Sequence, residues 1–257
     1  MLCVQHLEKR FGGVHATKDV SIDFPAGSLT AIIGPNGAGK TTFFNLISGA
    51  FRPDSGKVMF DGQDIVGKSC VEVVRLGMAR AFQVAALFPS LTVTQALTAA
   101  VTSHQQRSWT LLKRFPLVET KESVEEIIEL LGLQQKANLV SRNLSHGDQK
   151  LLDIGLSLAM KPKLLLLDEP TAGMGPDERW RMIDKVQDLW RTKKMTVLFI
   201  EHDMDIVFKI AQRIYVLKYG AVLAQGSAGE VRSNQDVIDA YLGTDQHMPE
   251  RQEKNNG

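Results

Sequence analysis

The stretch Leu29-Thr30-Ala31-Ile32-Ile33-Gly34-Pro35-Asn36-Gly37-Ala38-Gly39-Lys40-Thr41-Thr42 joins an apolar run to a glycine-rich turn and a lysine–threonine pair. An apolar run of this length after Pro25-Ala26-Gly27 predicts a buried strand. Phe43, Phe44, Leu46 and Ile47 supply the buried positions of a helix over residues 40–48, with Gly49 as its stop. Gly34 to Thr41 fits G-x-x-x-x-G-K-[ST] between that strand and that helix, the context in which the pattern carries meaning. Its glycines let backbone N–H groups curl around phosphate oxygens without Cβ interference, and the helix N-terminus adds the positive end of its dipole. Gly34, Pro35, Asn36, Gly37, Ala38, Gly39, Lys40, Thr41 and Thr42 are therefore the expected phosphate-binding residues. Lys40 is expected at the β- and γ-phosphates and the Thr41 hydroxyl on Mg²⁺. The stretch implies a nucleoside triphosphate site.

Around this site the sequence reads as one α/β core. Strands are expected over residues 4–7, 20–24, 29–33 and 56–60, the last running into the hairpin dipeptide Asp61-Gly62. From about residue 85 to 150 strand signals fade, and 93–101 and 123–131 carry helical spacing, so an inserted helical segment is expected. Apolar strands return over 163–167 and 196–200. Between them a helix over 177–191 puts Trp180, Ile183, Val186, Leu189 and Trp190 on one core-facing side. A late hairpin follows over 214–217 and 221–224, and a polar, frayed tail over 244–257.

Composition bounds the function. The chain has 257 residues, about 1.7 times a typical domain of roughly 150. With 44% hydrophobic and 23% charged residues it has globular composition. Thirty basic against 29 acidic residues leave a formal charge of +1, with no basic excess to hold nucleic acid. No stretch approaches the ~18 apolar residues of a membrane span, and Glu8, Lys9 and Arg10 interrupt any signal-like start. Cys3 and Cys70 form no close-spaced motif and suit a reducing compartment.

A second site element is Leu164-Leu165-Leu166-Leu167-Asp168-Glu169. A buried strand ending in two acids puts Asp168 at the carboxyl edge of the sheet, where open α/β folds bind ligands. There Asp168 is expected to hold Mg²⁺, directly or through water, and Glu169 to polarise water for in-line attack on a γ-phosphate.

Asn143-Leu144-Ser145-His146-Gly147-Asp148-Gln149, at the start of a helix, resembles the L-S-G-G-Q signature of ATP-binding cassette (ABC) ATPases. Gln83 in Arg80-Ala81-Phe82-Gln83 resembles the family's glutamine loop, and His202 in Ile200-Glu201-His202-Asp203 its switch histidine. Phe11 in Leu7-Glu8-Lys9-Arg10-Phe11 resembles the aromatic that stacks on adenine. These elements fall in the family's order over nearly the whole chain. The resemblance implies a P-loop NTPase core, RecA-like, with a mixed sheet and an antiparallel β subdomain, plus an inserted α-helical subdomain. It implies an ABC ATPase domain over 1–243 with the insert at about 88–150. It also implies ATP and Mg²⁺ as cofactors, and roles for Glu169, His202 and Gln83 in hydrolysis. Gln83 would join Thr41 and Asp168 at the metal. Ser145, His146 and Gly147 would face the phosphate loop of a second ATPase subunit, closing two ATP molecules between head-to-tail copies. Two departures stand out: His146 and Asp148 occupy signature positions usually held by glycine and glutamine, and Gly175 stands where many relatives have aspartate.

Within the family the sequence most resembles the ATP-binding subunit of branched-chain (hydrophobic) amino-acid uptake systems. Phe11-Gly12-Gly13, Leu87-Phe88, Leu91-Thr92-Val93, Glu201-His202-Asp203-Met204 and the run from Val237 to Gly243 carry this resemblance. The implied partners are two integral-membrane permeases, a second identical or paralogous ATPase subunit and, indirectly, a solute-binding protein, with no nucleic acid. The implied location is the cytoplasmic face of the inner membrane, peripherally. Permease contact is expected near residues 85–96, where Ala85, Ala86, Leu87, Phe88 and Leu91 cluster. Importers of urea or short amides and a lipopolysaccharide exporter share several of these stretches. A soluble ABC-type ATPase acting on nucleic acid or ribosomes is the alternative of a different class. A guanine-specific or kinase reading lacks an Asn-Lys-x-Asp motif and leaves the Ser145 motif unexplained.

Overall fold

The computed structural model describes residues 1–81, 88–104 and 118–242. The chain opens with strands β1 (Leu2–Phe11), β2 (Val14–Phe24) and β3 (Leu29–Ile33), followed by helix α1 (Lys40–Ile47). Strands β4 (Ser55–Phe60) and β5 (Gln63–Asp64), helix α2 (Cys70–Leu76) and strand β6 (Met78–Ala81) follow. Helices α3 (Val93–His104), α4 (Val118–Leu131) and α5 (His146–Leu158) lead to strand β7 (Leu164–Asp168) and helix α6 (Pro176–Lys193). The chain continues through β8 (Thr196–Ile200), α7 (Met204–Ile210), β9 (Arg213–Lys218), β10 (Ala221–Gly226), α8 (Ala228–Ser233) and α9 (Gln235–Leu242). Among the described residues no helix is long and apolar enough to cross a membrane.

Two sheets organise these elements. The first, ordered β2-β1-β4-β5, is antiparallel throughout. The second, ordered β10-β9-β3-β8-β7-β6, is parallel apart from the β9–β10 hairpin. In β3, β7 and β8 every residue is buried, as a parallel strand covered on both faces requires. Side-chain alternation divides each strand between two cores. Ala31, Leu165, Val197 and Ile214 join the helices α3 to α7 on one side. Ile32, Leu166, Leu198 and Tyr215 meet the antiparallel sheet and α1 on the other. A truncation such as Leu166→Ala would cost about 2–5 kcal/mol at such a site.

The first sheet departs from the sequence expectation in length. The strand expected over 4–7 runs the full length of β1, past register shifts flanking His6, whose φ is 51°. This bulge lets β1 continue to Phe11 while its apolar side chains keep to the core. β2 also begins six residues earlier than expected, because 14–19 is a mostly polar edge segment with little apolar signal. The Asp61-Gly62 turn is as expected, with both residues at positive φ. Helices α3 and α4 contain the two helical stretches expected from spacing. Trp180 and Trp190 of α6 pack partly buried against the core that Ile183, Val186 and Leu189 enter. The tail expected over 244–257 lies outside the described residues.

Candidate functional site

The turn between β3 and α1 is shaped by close backbone approach. A Cβ on Gly34 would sit 2.1 Å from the Leu217 carbonyl oxygen, and one on Gly39 equally close to that of Ala16. Gly39 also stands at φ 98°, a conformation that glycine alone adopts readily. The Ala38 carbonyl accepts from Gly220 N at 3.0 Å, tying the turn to the β9–β10 hairpin. Lys40, only 6% exposed, donates through Nζ to the Gly34 and Pro35 carbonyls at 2.7 and 3.0 Å. Burial lowers its pKa, and the charges of Glu169 and Asp168 partly counter that. The ammonium is thus desolvated and held by the loop's own carbonyls. Thr41 and Thr42 follow in the first turn of α1, Thr41 exposed.

Across the sheet, β7 ends at Asp168, and the chain turns at Glu169, whose φ is 49°. A non-glycine residue in this left-handed region stores strain of about 1–3 kcal/mol and persists only where its surroundings hold it. Glu169 N donates to the Ile200 carbonyl at 3.0 Å. From α5, Lys150 Nζ donates to the carbonyls of Glu169 at 3.0 Å and Ala172 at 2.7 Å. Glu201, buried at the end of β8, accepts from Thr171 N at 2.9 Å and Thr171 Oγ1 at 2.6 Å. The turn so clamped presents the Glu169 carboxylate to His202, whose Nε2 donates to Glu169 Oε1 at 2.9 Å. Behind it, Arg80 Nη2 on β6 donates to Asp168 Oδ2 at 2.6 Å.

Phe11 lies 45% exposed at the end of β1, with its ring edge-on to Phe51 at 5.6 Å between centroids. It pairs with Val14 across the hairpin, two residues before Ala16, whose carbonyl lies against Gly39. An exposed aromatic beside a phosphate loop offers a stacking face for a base. Helix α9 packs near the same loop: burial pushes the Tyr241 phenol up to about 12, and the nearby Gly34 backbone partly offsets that rise.

The signature stretch sits elsewhere. Ser145 caps α5, and its Oγ accepts from Asp148 N at 3.2 Å while donating to Asp148 Oδ2 at 2.6 Å. Asp148 is also paired with Lys136 Nζ at 2.5 Å, so the acid at this unusual position is neutralised from within the helical region. Exposed His146 lies against Gly173, where a Cβ would stand 3.3 Å from its Nε2. These residues contact Lys136 and the turn after β7, whereas Lys40, Asp168, Glu169 and His202 gather at the carboxyl end of the parallel sheet. Gln83 lies outside the described residues. Lys150, Glu201 and Arg80, which hold the turn and its acids, escaped the sequence reading. The one signal was Glu201 itself, an acid closing an apolar strand beside the histidine.

Among the described residues no group of three or more His, Cys, Asp or Glu side chains could hold a metal by itself. Thr41 hydroxyl and Asp168 carboxylate are hard oxygen donors, the type Mg²⁺ takes when phosphate oxygens and water supply its remaining positions. The donor set therefore fits Mg²⁺ arriving with a triphosphate.

Comparison with known proteins agrees with this arrangement. Residues 17–172 match the ABC transporter family, and 221–247 match the family described as branched-chain amino acid ATP-binding cassette transporter. The chain is 37% identical over 251 residues to the high-affinity branched-chain amino acid transport ATP-binding protein LivG of Escherichia coli K12, covering 95% of this chain and 98% of that one. It is 39% identical to the probable LivG of Archaeoglobus fulgidus, over 95% of each chain. The solved ADP conformation of MJ1267, an ATP-binding cassette of an ABC transporter, superposes with a TM-score of 0.82. Its sequence identity is 33%, over 95% of this chain and 98% of that one. The chain belongs to the ABC transporter family and is one of its ATP-binding, ATP-hydrolysing cassettes.

Proposed function

We propose that this cassette couples Mg²⁺-dependent ATP hydrolysis to the import of branched-chain or other hydrophobic amino acids through two partner permeases. On this reading the 1–243 region is the ATPase, with a helical insert at about 88–150, and works at the cytoplasmic face of the membrane. The Glu169–His202 pair beside the buried Lys40 carries the hydrolytic part. Lys40 moves from the loop carbonyls to the β- and γ-phosphate oxygens of ATP. The loop N–H groups hold those phosphates, and Phe11 stacks on adenine. Thr41, Asp168 and Gln83 would hold Mg²⁺, which would supply neutralisation of phosphate charge. Glu169 accepts the proton of the attacking water, and His202 orients that carboxylate and reaches the γ-phosphate. Ser145, His146 and Gly147 complete the site of a second ATPase subunit across the nucleotide, at a helix N-terminus suited to phosphate oxygens.

The names of the relatives support amino acids as the solute. A groove of about 480 Å³ between α2, α3 and α5 supports a permease contact. Val74, Phe88, Ala100, Leu156 and Met160 give it an apolar wall, and Phe88 is 38% exposed. Of the cluster expected near residues 85–96, Phe88 lines this groove. Expression with candidate permeases and a solute-binding protein tests the proposal. The expected result is co-purification from membranes and ATP-dependent uptake of labelled leucine, lost with Lys40→Ala. ATP turnover without membrane association or uptake in that setting would contradict the transport role.

A further inference from the structure

Arg80 takes part in the metal acid and in the groove at once. On β6 its guanidinium donates through Nη2 to Asp168 Oδ2 and through Nη1 to Asn45 Oδ1 of α1, both at 2.6 Å. The Arg80 and Asp168 side chains are 12% and 5% exposed, so the pair is shielded from water. The same arginine lies over the Phe44 ring, 5.8 Å from its centroid. It also forms part of the groove wall, with Phe88 and Cys70. The guanidinium is a permanent cation. Any second cation approaching Asp168 therefore meets a fixed positive charge already on the carboxylate.

We infer that Arg80 is a positioning residue that holds the Asp168 carboxylate and must loosen its grip for Mg²⁺ to take that oxygen. The inference rests on the reading of Asp168 as the metal acid. Asn45 gives the displaced guanidinium an acceptor to keep, so the exchange needs a shift and not expulsion into an apolar wall. Because Arg80 is in that wall, occupation of the metal site changes the surface of the groove. By linkage, an occupant of the groove that favours one Arg80 position changes Mg²⁺ affinity by the same factor.

The test is a Mg²⁺ titration of fluorescent ATP-analogue binding to the intact protein, which needs no turnover. Arg80→Gln should lower the half-saturating Mg²⁺ concentration about tenfold, and Arg80→Lys, which keeps the charge, should restore the wild-type value to within about twofold. Asn45→Asp offers the arginine a rival carboxylate and should also lower it, which keeps the test available if Arg80→Gln does not fold. Asp168→Asn should raise it. An unchanged titration with Asp168→Asn would remove the metal acid and the inference together. A raised value for Asp168→Asn, with no lowering by Arg80→Gln or Asn45→Asp, would overturn the inference alone.

Discussion

His202 Nε2 donates to Glu169 Oε1 across 2.9 Å, joining the loop after β8 to the turn after β7. Each partner is held by its own support. Lys150 clamps the carbonyls of the Glu169 turn, and Glu201, the residue preceding His202, accepts from Thr171 N and Oγ1. The backbone on both sides of the pair is therefore held in place at the sheet edge. A general base near a phosphate requires a carboxylate presented from a well-supported turn.

Losing the imidazole should disturb orientation more than binding. His202→Ala is expected to lower ATP turnover by about 10²-fold while the dissociation constant for ATP changes by less than about threefold. Steady-state hydrolysis beside equilibrium binding checks this. A parallel loss of both would show that His202 acts mainly on the fold or on binding.

Lys150 should prove structural and catalytic together. Lys150→Met leaves the Glu169 and Ala172 carbonyls without their charged donor, at a cost of about 1–2 kcal/mol. Burial lowers the Lys150 pKa, and the charges of Glu201 and Glu169 partly counter that. Urea unfolding should report the loss, and turnover should fall as the Glu169 turn relaxes. Unchanged stability would mean that the turn stands without this clamp.

Lys40 gives a pH dependence of definite sign. Burial holds its pKa below the ordinary 10.5, so in that interval the unfolded chain carries more protons than the folded one. The nucleotide-free protein should therefore gain stability relative to Lys40→Met as pH rises through the lowered pKa toward 10.5. ATP affinity should move the opposite way, falling over the same interval as the ammonium that meets the phosphates is lost. Calorimetric scans and nucleotide titrations at alkaline pH measure the two trends. A fall in ATP affinity that Lys40→Met also shows would assign the trend to another group.

Phe11 should set base preference. Phe11→Ala is expected to weaken ATP binding about tenfold, the lower part of the ~1–3 kcal/mol range for base stacking, and Phe11→Trp should retain it. Competition between ATP and inorganic triphosphate separates this from a loop effect. Equal weakening for both ligands would place the role of Phe11 in the loop and not at the base.

The groove separates coupling from chemistry. Phe88→Asp should leave the ATPase activity of the isolated cassette within about twofold and abolish uptake in permease-containing membranes. Equal loss of both activities would make this wall part of the core.

The legible parts of the molecule share a physical character. β3, β7 and β8 are buried on both faces, so continuous apolar runs mark them, and the loop after β3 follows a spacing that phosphate geometry demands. β6 carries no such run, because Met78, Ala79 and Ala81 surround an arginine whose purpose is a contact with Asp168, 88 positions away. Lys150 escaped notice for the same reason: its acceptors are backbone carbonyls, which leave no trace in side-chain identity. The His6 bulge and the polar start of β2 hid the true length of the first sheet. The order of motifs from Phe11 to His202 carried the functional reading, since most of its members were weak signals taken one at a time.

The most direct test is single-turnover hydrolysis and ATP-dependent association of Glu169→Gln. The substitution keeps shape and removes the proton acceptor. ATP should still bind with near-wild-type affinity, turnover should fall by about 10²–10⁴-fold, and a dimer stable only with ATP should accumulate. Hydrolysis at the wild-type rate in this variant would contradict the assignment of Glu169 as the base and the mechanism built on it.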